Sequence, residues 1–282
     1  MTHEENWSMV ITPKRRLLDF NIKEIIRYRD LIFLFVKRDF TTQYKQTILG
    51  PIWFLINPIM STIIYTFIFG RLAGIGTDGI PHVLFYFSGT LLWTYFTACF
   101  DNASNVFISN AGIFNKVYFP RLVVPIYFVL SHIIKTFIQF CLLMAVLIYY
   151  LSIGTPLYPS WMMIFFPLLL LWLAAISVGA GIIISSLTTK YRDLRNVVGF
   201  IISLAIYASP VVYPISEIPE NLRWIAYINP VSAPVELFRQ WYFGFSSVNS
   251  TMILSSLGIS VFVLFTGLIL FNQNETSFVD VI

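Results

Sequence analysis

An uncharged stretch of 54 residues, between Lys135 and Lys190, constrains this chain more than any other feature of its sequence. A helix that crosses the hydrocarbon core of a bilayer needs about 20 predominantly apolar residues. The stretch is therefore too long for one crossing and long enough for two. The segment 152–160, SIGTPLYPS, has the glycine and prolines of a turn. We predict that the stretch forms a transmembrane helical hairpin.

The composition of the whole chain is also that of a membrane protein. Of its 282 residues, 57% are hydrophobic and 11% are charged, and the mean hydropathy is +0.76. Soluble domains carry about 25% charged residues. Because lipid cannot satisfy backbone polar groups, a spanning segment is a helix or part of a closed barrel. The apolar runs are continuous rather than alternating, which predicts helices.

We predict an all-α integral membrane fold in two parts, a cytoplasmic tail with an interface helix (1–49) and a six-span transmembrane domain (50–282). The helical pattern at 21–49 contains only a short apolar run, 31–36, between charged residues. This pattern is typical of a helix that lies in the membrane interface. The predicted spans cover about 52–70, 82–100, 123–151, 161–187, 197–213 and 252–271.

The distribution of Lys and Arg predicts the orientation of these spans. With the N-terminus in the cytoplasm, the cytoplasmic segments carry 14 Lys and Arg residues and the external segments carry 3. Since basic loops concentrate on the cytoplasmic side, both termini are predicted to be cytoplasmic. The external segment 214–249 is rich in proline and aromatic residues, and it suits two short helices at about 220–228 and 233–243.

The sequence lacks the motifs of a nucleotide-binding subunit or of a common hydrolase. No GxxxxGK[ST] or GxSxG segment occurs, and His3, His82 and His132 are too far apart for a metal motif. Lys135 is the one ionisable residue well inside a predicted span, whereas ion-coupled pumps usually need more. We therefore predict a transport protein that is not an enzyme, holds no cofactor and takes its energy from a partner.

Five segments carry a family resemblance, in consistent order along nearly the whole chain. They are 37–53 (KRDFTTQYKQTILGPIW), 115–121 (NKVYFPR), 191–194 (YRDL), 209–214 (SPVVYP) and 278–282 (FVDVI). The chain resembles the permeases of ABC exporters for polysaccharides, a family that exports O-antigen, capsule and teichoic-acid polymers. The resemblance implies the transmembrane subunit of an ATP-driven exporter of a lipid-linked polysaccharide in the bacterial inner membrane.

The same resemblance implies partners and architecture. It implies a homodimer of this chain with two copies of a separate ABC ATPase subunit, which binds ATP and Mg²⁺, and a lipid-linked glycan as substrate. No nucleic-acid partner is predicted, because the charges are few and their placement follows the membrane. The resemblance also implies an amphipathic N-terminal interface helix, a cytoplasmic coupling helix between spans two and three, and re-entrant external helices between spans five and six.

Two cytoplasmic loops are candidates for the contact with the ATPase. The apolar residues of 110–121 would be awkwardly exposed in an ordinary solvated loop, and exposed apolar patches usually mark interfaces. The loop at 188–196 is supported mainly by the resemblance, since basic loop residues also anchor topology. The predicted contact residues are Asn115, Lys116, Val117, Tyr118, Phe119, Tyr191, Arg192 and Asp193.

Aromatic side chains are candidates for the substrate path. A ring can stack on the apolar face of a sugar without demanding one sugar identity, as rings do on single-stranded bases. The alternative is that the same rings face lipid or form interfacial belts. The predicted path residues are Trp53, Phe54, Tyr65, Phe69, Phe200 and Tyr207.

The external segment is the candidate for a gate. Non-helical backbone at membrane depth is tolerated only where protein or water covers it. A re-entrant segment therefore predicts a gate that contains Pro214, Trp224, Pro230 and Trp241. The alternative is an amphipathic loop on the membrane surface.

Lys135 shares one helical face with His132 and Gln139, because they are spaced by three and four residues. A charge within the membrane costs several kcal/mol unless it is paired or hydrated. We expect Lys135 either to contact a lipid-linked pyrophosphate or to pair with another residue inside the bundle.

Two other functions compete with polymer export. A permease for a small drug, heme or lipid would have a similar six-span plan, although the long interface helix and the proline-broken external segment favour the polymer exporter. A membrane-embedded enzyme that modifies glycans needs a cluster of catalytic His, Asp or Glu residues, and the sequence shows none.

Overall fold

The computed structural model describes residues 22–45, 50–114, 119–188, 193–245 and 248–277. Every regular element within these ranges is a helix, which confirms the all-α prediction. The α-helices are α1 (Ile22–Arg27), α2 (Arg29–Tyr44), α3 (Trp53–Tyr65), α4 (His82–Ser104), α5 (Val106–Phe114), α6 (Val123–Ser152), α7 (Phe166–Thr188), α8 (Leu194–Ala205), α9 (Arg223–Ile228), α10 (Ser232–Phe243) and α11 (Ser250–Ser277).

Five helical segments of the described chain are long and apolar enough to cross a membrane. They are Trp53–Leu72, His82–Ser104, Val123–Ser152, Trp161–Thr188 and Ser250–Gln273. The first extends α3 through a π-helix, Thr66–Leu72, and the fourth adds a 3₁₀ turn, Trp161–Phe165, before α7. The uncharged stretch forms most of α6 and all of α7.

The predicted fifth span, 197–213, is only partly helical. Helix α8 has 12 residues and is therefore about 18 Å long, against about 30 Å of hydrocarbon core. After Ala205 the backbone N–H groups of 207–209 bond to carbonyls three residues back. Pro210 has no N–H and disfavours a helical residue before it. The predicted span 197–213 is therefore α-helical only as far as Ala205.

Helix α4 lies at the centre of the bundle, between α7, α6 and α3. Its side chains are largely buried, whereas few side chains are buried in the spanning segments that contain α3 and α11. The principal hydrophobic core surrounds α4 and includes Leu84, Leu91, Leu143 and Leu173. The outer helices therefore present apolar faces that lipid or another protein must cover.

Helices α7 and α11 approach each other at two glycines. A Cβ atom at Gly267 would lie 2.5 Å from the carbonyl oxygen of Gly179 and 2.9 Å from its Cα atom. Small residues let helices pack closely in membranes, where the hydrophobic effect does not drive helix association. The indole N–H of Trp172 on α7 also donates to Oγ of Ser260 on α11, at 2.8 Å.

Helix α2 packs against α6 and is the described part of the predicted interface helix. Ile32, Phe35 and Val36 are buried on its inner side, while Phe33 and Leu34 are 65% and 60% exposed. This arrangement places one apolar side of α2 on the bundle and leaves further apolar side chains uncovered.

Candidate functional site

An ion pair joins the interface helix to the third membrane-length helix. Nζ of Lys135 on α6 lies 3.1 Å from Oδ2 of Asp39 on α2. The Ser131 hydroxyl donates to the same carboxylate oxygen. The side chain of Lys135 is 12% exposed and that of Asp39 is 36% exposed. Lys135 thus has a counter-charge within the chain.

The carboxyl group of Asp39 is stabilised in its ionised form. Burial alone raises the pKa of Asp39, but the hydrogen bond from Ser131 and the charge of Lys135 outweigh it and leave the pKa below its usual value. A lowered carboxyl pKa adds stability above the ordinary pKa of the group, and this stability is lost as the pH falls through the lowered value. The Asp39 side of the link between α2 and α6 is therefore ionised at neutral pH.

We expect Asp39→Asn to lower the free energy of detaching α2 from α6 by roughly 1–3 kcal/mol, because it leaves the ammonium of Lys135 in a poorly hydrated position. Lys135→Met should cost less, below about 1 kcal/mol, because the carboxylate of Asp39 stays partly hydrated. Hydrogen–deuterium exchange across α2 measures both effects. Asp30→Asn, on the same helix at a side chain that is 92% exposed, is the control. Equal exchange in all three variants would contradict the role of the pair.

A cavity of about 410 Å³ opens beside this ion pair, between α2, α3, α4 and α6. It brings two predicted path residues, Trp53 and Phe54, together with the predicted polar face of α6. Gln139 donates its side-chain N–H to the carbonyl of Phe54 at 2.9 Å. The lining residues are Gln43, Trp53, Phe54, Asn57, Thr94, Tyr95, Ala98, His132, Lys135, Thr136 and Gln139.

The other four predicted path residues lie elsewhere. Tyr65 and Phe69 pack against Tyr86 of α4, with ring centroids 6.3 and 6.4 Å away. Phe200 and Tyr207 are 64% and 50% exposed. Of the six aromatic residues, only Trp53 and Phe54 therefore line this cavity.

A buried arginine anchors the segment that the sequence predicts to be external. Arg239 on α10 is 1% exposed, and its Nη1 lies 2.8 Å from Oε1 of Glu236. Its guanidinium donates to the carbonyls of Pro210, Phe85 and Val211 at 2.5, 3.3 and 3.3 Å. It also lies 3.5 Å from the centroid of the Phe85 ring. Arg239 thus connects α10 to α4 and to the turns after α8.

Sequence reasoning did not select Arg239, Glu236 or Asp39 as site residues. For Arg239 and Glu236, the sequence did contain a signal of a buried ion pair: two opposite charges lie three residues apart among apolar residues of α10. For Asp39, which pairs with a residue 96 positions away, the sequence contained no comparable signal.

The four predicted gate residues are distributed along the external segment. Pro214 is buried and precedes a 3₁₀ turn at Ile215–Glu217, and the carbonyl of Pro230 accepts the Ser256 hydroxyl at 2.5 Å. Trp241 is half-buried, whereas Trp224 is 57% exposed. The helices α9 and α10 are separated at Asn229 and Pro230, where the sequence predicted a break.

Two further loops hold the external segment in place. The N–H groups of Tyr158 and Ser160 donate to the carbonyls of Phe243 and Trp241, at 3.0 and 2.8 Å. The hydroxyl of Ser216 donates to Asp78 at 2.6 Å. The segment is therefore bonded to both of its neighbouring loops.

Six of the predicted ATPase-contact residues lie outside the described ranges: Asn115, Lys116, Val117, Tyr118, Tyr191 and Arg192. Phe119 is 4% exposed and packs against Phe35 of α2 and Phe114 of α5, with centroid distances of 6.0 and 5.8 Å. Asp193 is exposed at the start of α8. Nowhere in the described ranges do three or more His, Cys, Asp or Glu residues form a group that could hold a metal ion.

The described chain is thus a bundle of membrane-length helices with α2 ion-paired to its side. The ABC-2 type transporter family matches residues 30–243, from α2 to the end of α10. The chain belongs to this family of transporter permeases.

The chain is also similar to individual transport permeases. The chain is 29% identical to the O-antigen export system permease protein RfbA of Klebsiella pneumoniae over 255 residues, which is 90% of this chain and 95% of the relative. It is 22% identical to RfbA of Myxococcus xanthus over 92% of this chain and 98% of the relative. It is also 21% identical to the inner membrane transport permease YadH of Escherichia coli K12, over 73% of this chain and 81% of the relative.

Proposed function

We propose that this chain is the transmembrane subunit of an ABC transporter that exports a lipid-linked polysaccharide, of the O-antigen, capsule or teichoic-acid type, across the bacterial inner membrane. The observation that carries the proposal is the similarity to O-antigen export permeases over 90% of this chain and 95% of the relative. The similarity extends over too much of the chain to reflect one shared helix pair.

The energy is proposed to come from two copies of an ABC ATPase that bind a dimer of this chain. The sequence has no P-loop, and the family consists of ABC-2 type permeases. We place the ATPase contacts on the loop 115–119 and at 191–193. Phe119 is 4% exposed and packs on Phe35 and Phe114, so within this loop it would transmit movement to α2 and α5 rather than touch the ATPase itself.

Both termini are proposed to be cytoplasmic, and α8 with residues 206–213 is proposed to form the fifth of six crossings. The excess of Lys and Arg on one side supports this orientation. Helices α9 and α10 would then form a re-entrant external segment, since Arg239 ties α10 to the turns after α8 and to α4.

The substrate path is proposed to lie between two copies of the chain. In the span that contains α3, 11% of the most apolar window is buried, and α8 has no buried residue. Phe200 and Tyr207 lie on this uncovered surface, as does Trp53, which is 49% exposed. Exposed rings of this kind suit a path along which a sugar polymer slides.

A second candidate is a permease for a small drug, heme or lipid. The relative YadH is named as an inner membrane transport permease, and this name gives no substrate class. The similarity to YadH has lower identity and covers less of the chain than the similarity to RfbA.

Deletion of the gene should remove the polysaccharide from the cell surface and cause lipid-linked glycan to accumulate inside the cell. A tagged chain should also co-purify with an ABC ATPase, because the chain has no P-loop of its own. Surface polysaccharide staining, glycan extraction and identification of the co-purified subunit measure these outcomes. Complementation with the intact gene is the control. Unchanged surface polysaccharide, or purification without an ATPase, would refute the proposal.

A further inference from the structure

We propose that the cavity beside the Asp39–Lys135 pair binds a sugar residue of the lipid-linked glycan, next to the point where the glycan joins its lipid. This inference rests on the proposed function and assigns a substrate-binding role to one cavity within each chain.

The lining of the cavity suits a hydroxyl-rich ligand. Gln43, Asn57 and Thr94 are exposed and line it with amide and hydroxyl groups, and these groups both donate and accept hydrogen bonds. Trp53 is 49% exposed and adds an aromatic face. A sugar offers hydroxyl groups at its rim and an apolar C–H face, so it matches both parts of this lining.

The charges at the cavity favour a neutral ligand over a phosphate. Lys135 lines the cavity, but its ammonium is already 3.1 Å from the carboxylate of Asp39. A bound anion would have to displace this carboxylate or lie close to it, and two like charges at such short range repel each other. A sugar hydroxyl can instead accept one of the remaining N–H bonds of the ammonium, which has three.

The cavity has the size and position that such a ligand requires. Its volume of about 410 Å³ lies within the range of about 300–1,000 Å³ for small-molecule sites. Trp53 is the first residue of α3 and directly follows the 3₁₀ turn Gly50–Ile52. In the proposed orientation the cavity therefore lies at the cytoplasmic end of the first span, near the lipid head groups.

Photo-crosslinking in living cells tests the inference. The full chain, with its ATPase, carries p-benzoylphenylalanine in place of Trp53, and after irradiation the purified chain is stained for glycan and analysed by mass spectrometry. Phe262 on α11, which is 70% exposed and does not line the cavity, is the matched control position. We expect glycan adducts from position 53 and none from position 262.

Two second-site variants locate the adduct in the cavity. Ala98→Phe fills the cavity, and Asn57→Leu removes one amide, so each should reduce the adduct by about tenfold, the effect of losing roughly one good polar contact. Co-purification with the ATPase shows whether each variant folds. If Ala98→Phe does not fold, Asn57→Leu alone provides the test.

Adducts only to ordinary phospholipid, equal glycan adducts at both positions, or an adduct that survives both folded variants would overturn the inference. If surface polysaccharide still depends on the gene, the proposed function stands while the inference fails.

Discussion

Replacing Arg239 by Met should destabilise the folded chain by about 3–5 kcal/mol, the usual cost of breaking a buried ion pair from one side. Glu236 is 2% exposed and would lose its counter-charge. The carbonyls of Phe85, Pro210 and Val211 would each lose a guanidinium hydrogen bond. Because these bonds hold α10 against α4, export should be lost along with thermal stability.

The chain contains a matched control for this variant. Arg223 on α9 also pairs with a glutamate three residues before it, but the side chains of Arg223 and Glu220 are 35% and 89% exposed. Arg223→Met should therefore cost only about 0–1 kcal/mol. The double variant Arg239→Met with Glu236→Leu should recover part of the loss, since replacing both members of a buried pair is often neutral. Thermal unfolding of the purified transporter would argue against this account if Arg239→Met and Arg223→Met melted alike.

Replacing Gly267 by Leu should separate α7 from α11. The added Cβ would lie 2.5 Å from a backbone carbonyl oxygen of Gly179, and backbone cannot rotate away as a side chain can. We expect the free energy of unfolding to fall by about 3 kcal/mol or more. Ordinary overpacking lowers it by ~1–3 kcal/mol. Little folded protein should be recovered from membranes, as measured by size-exclusion chromatography in detergent.

The same substitution at Gly258 is the control, because no atom lies within 4 Å of a Cβ at that position. Gly258 is exposed on the same helix, α11. Gly258→Leu should leave the yield of folded protein close to that of the unaltered chain. If both variants behave alike, the close approach of α7 and α11 is not required for folding.

The candidate site shows where sequence reasoning succeeds and where it stops. The shared face of His132, Lys135 and Gln139 follows from helical spacing, and all three residues line one cavity. Trp53 and Phe54 were selected for their chemistry and lie in the same cavity, but spacing along α3 gave no reason to place them beside α6. The path residues Phe200 and Tyr207 do not line this cavity. Phe200 lies on α8, whose rotation about its axis depends on its neighbours, and Tyr207 lies in the turns after that helix.

The sequence by itself determined that this chain is helical, that it crosses the membrane several times, and where its longest helices lie. It did so because lipid demands long apolar helices, and such helices are visible as uncharged runs. Only the tertiary structure decided that Asp39 pairs with Lys135, 96 residues away, and that Arg239 bonds to Phe85, 154 residues away. Such contacts depend on how the helices pack, and no local pattern of residues encodes that packing.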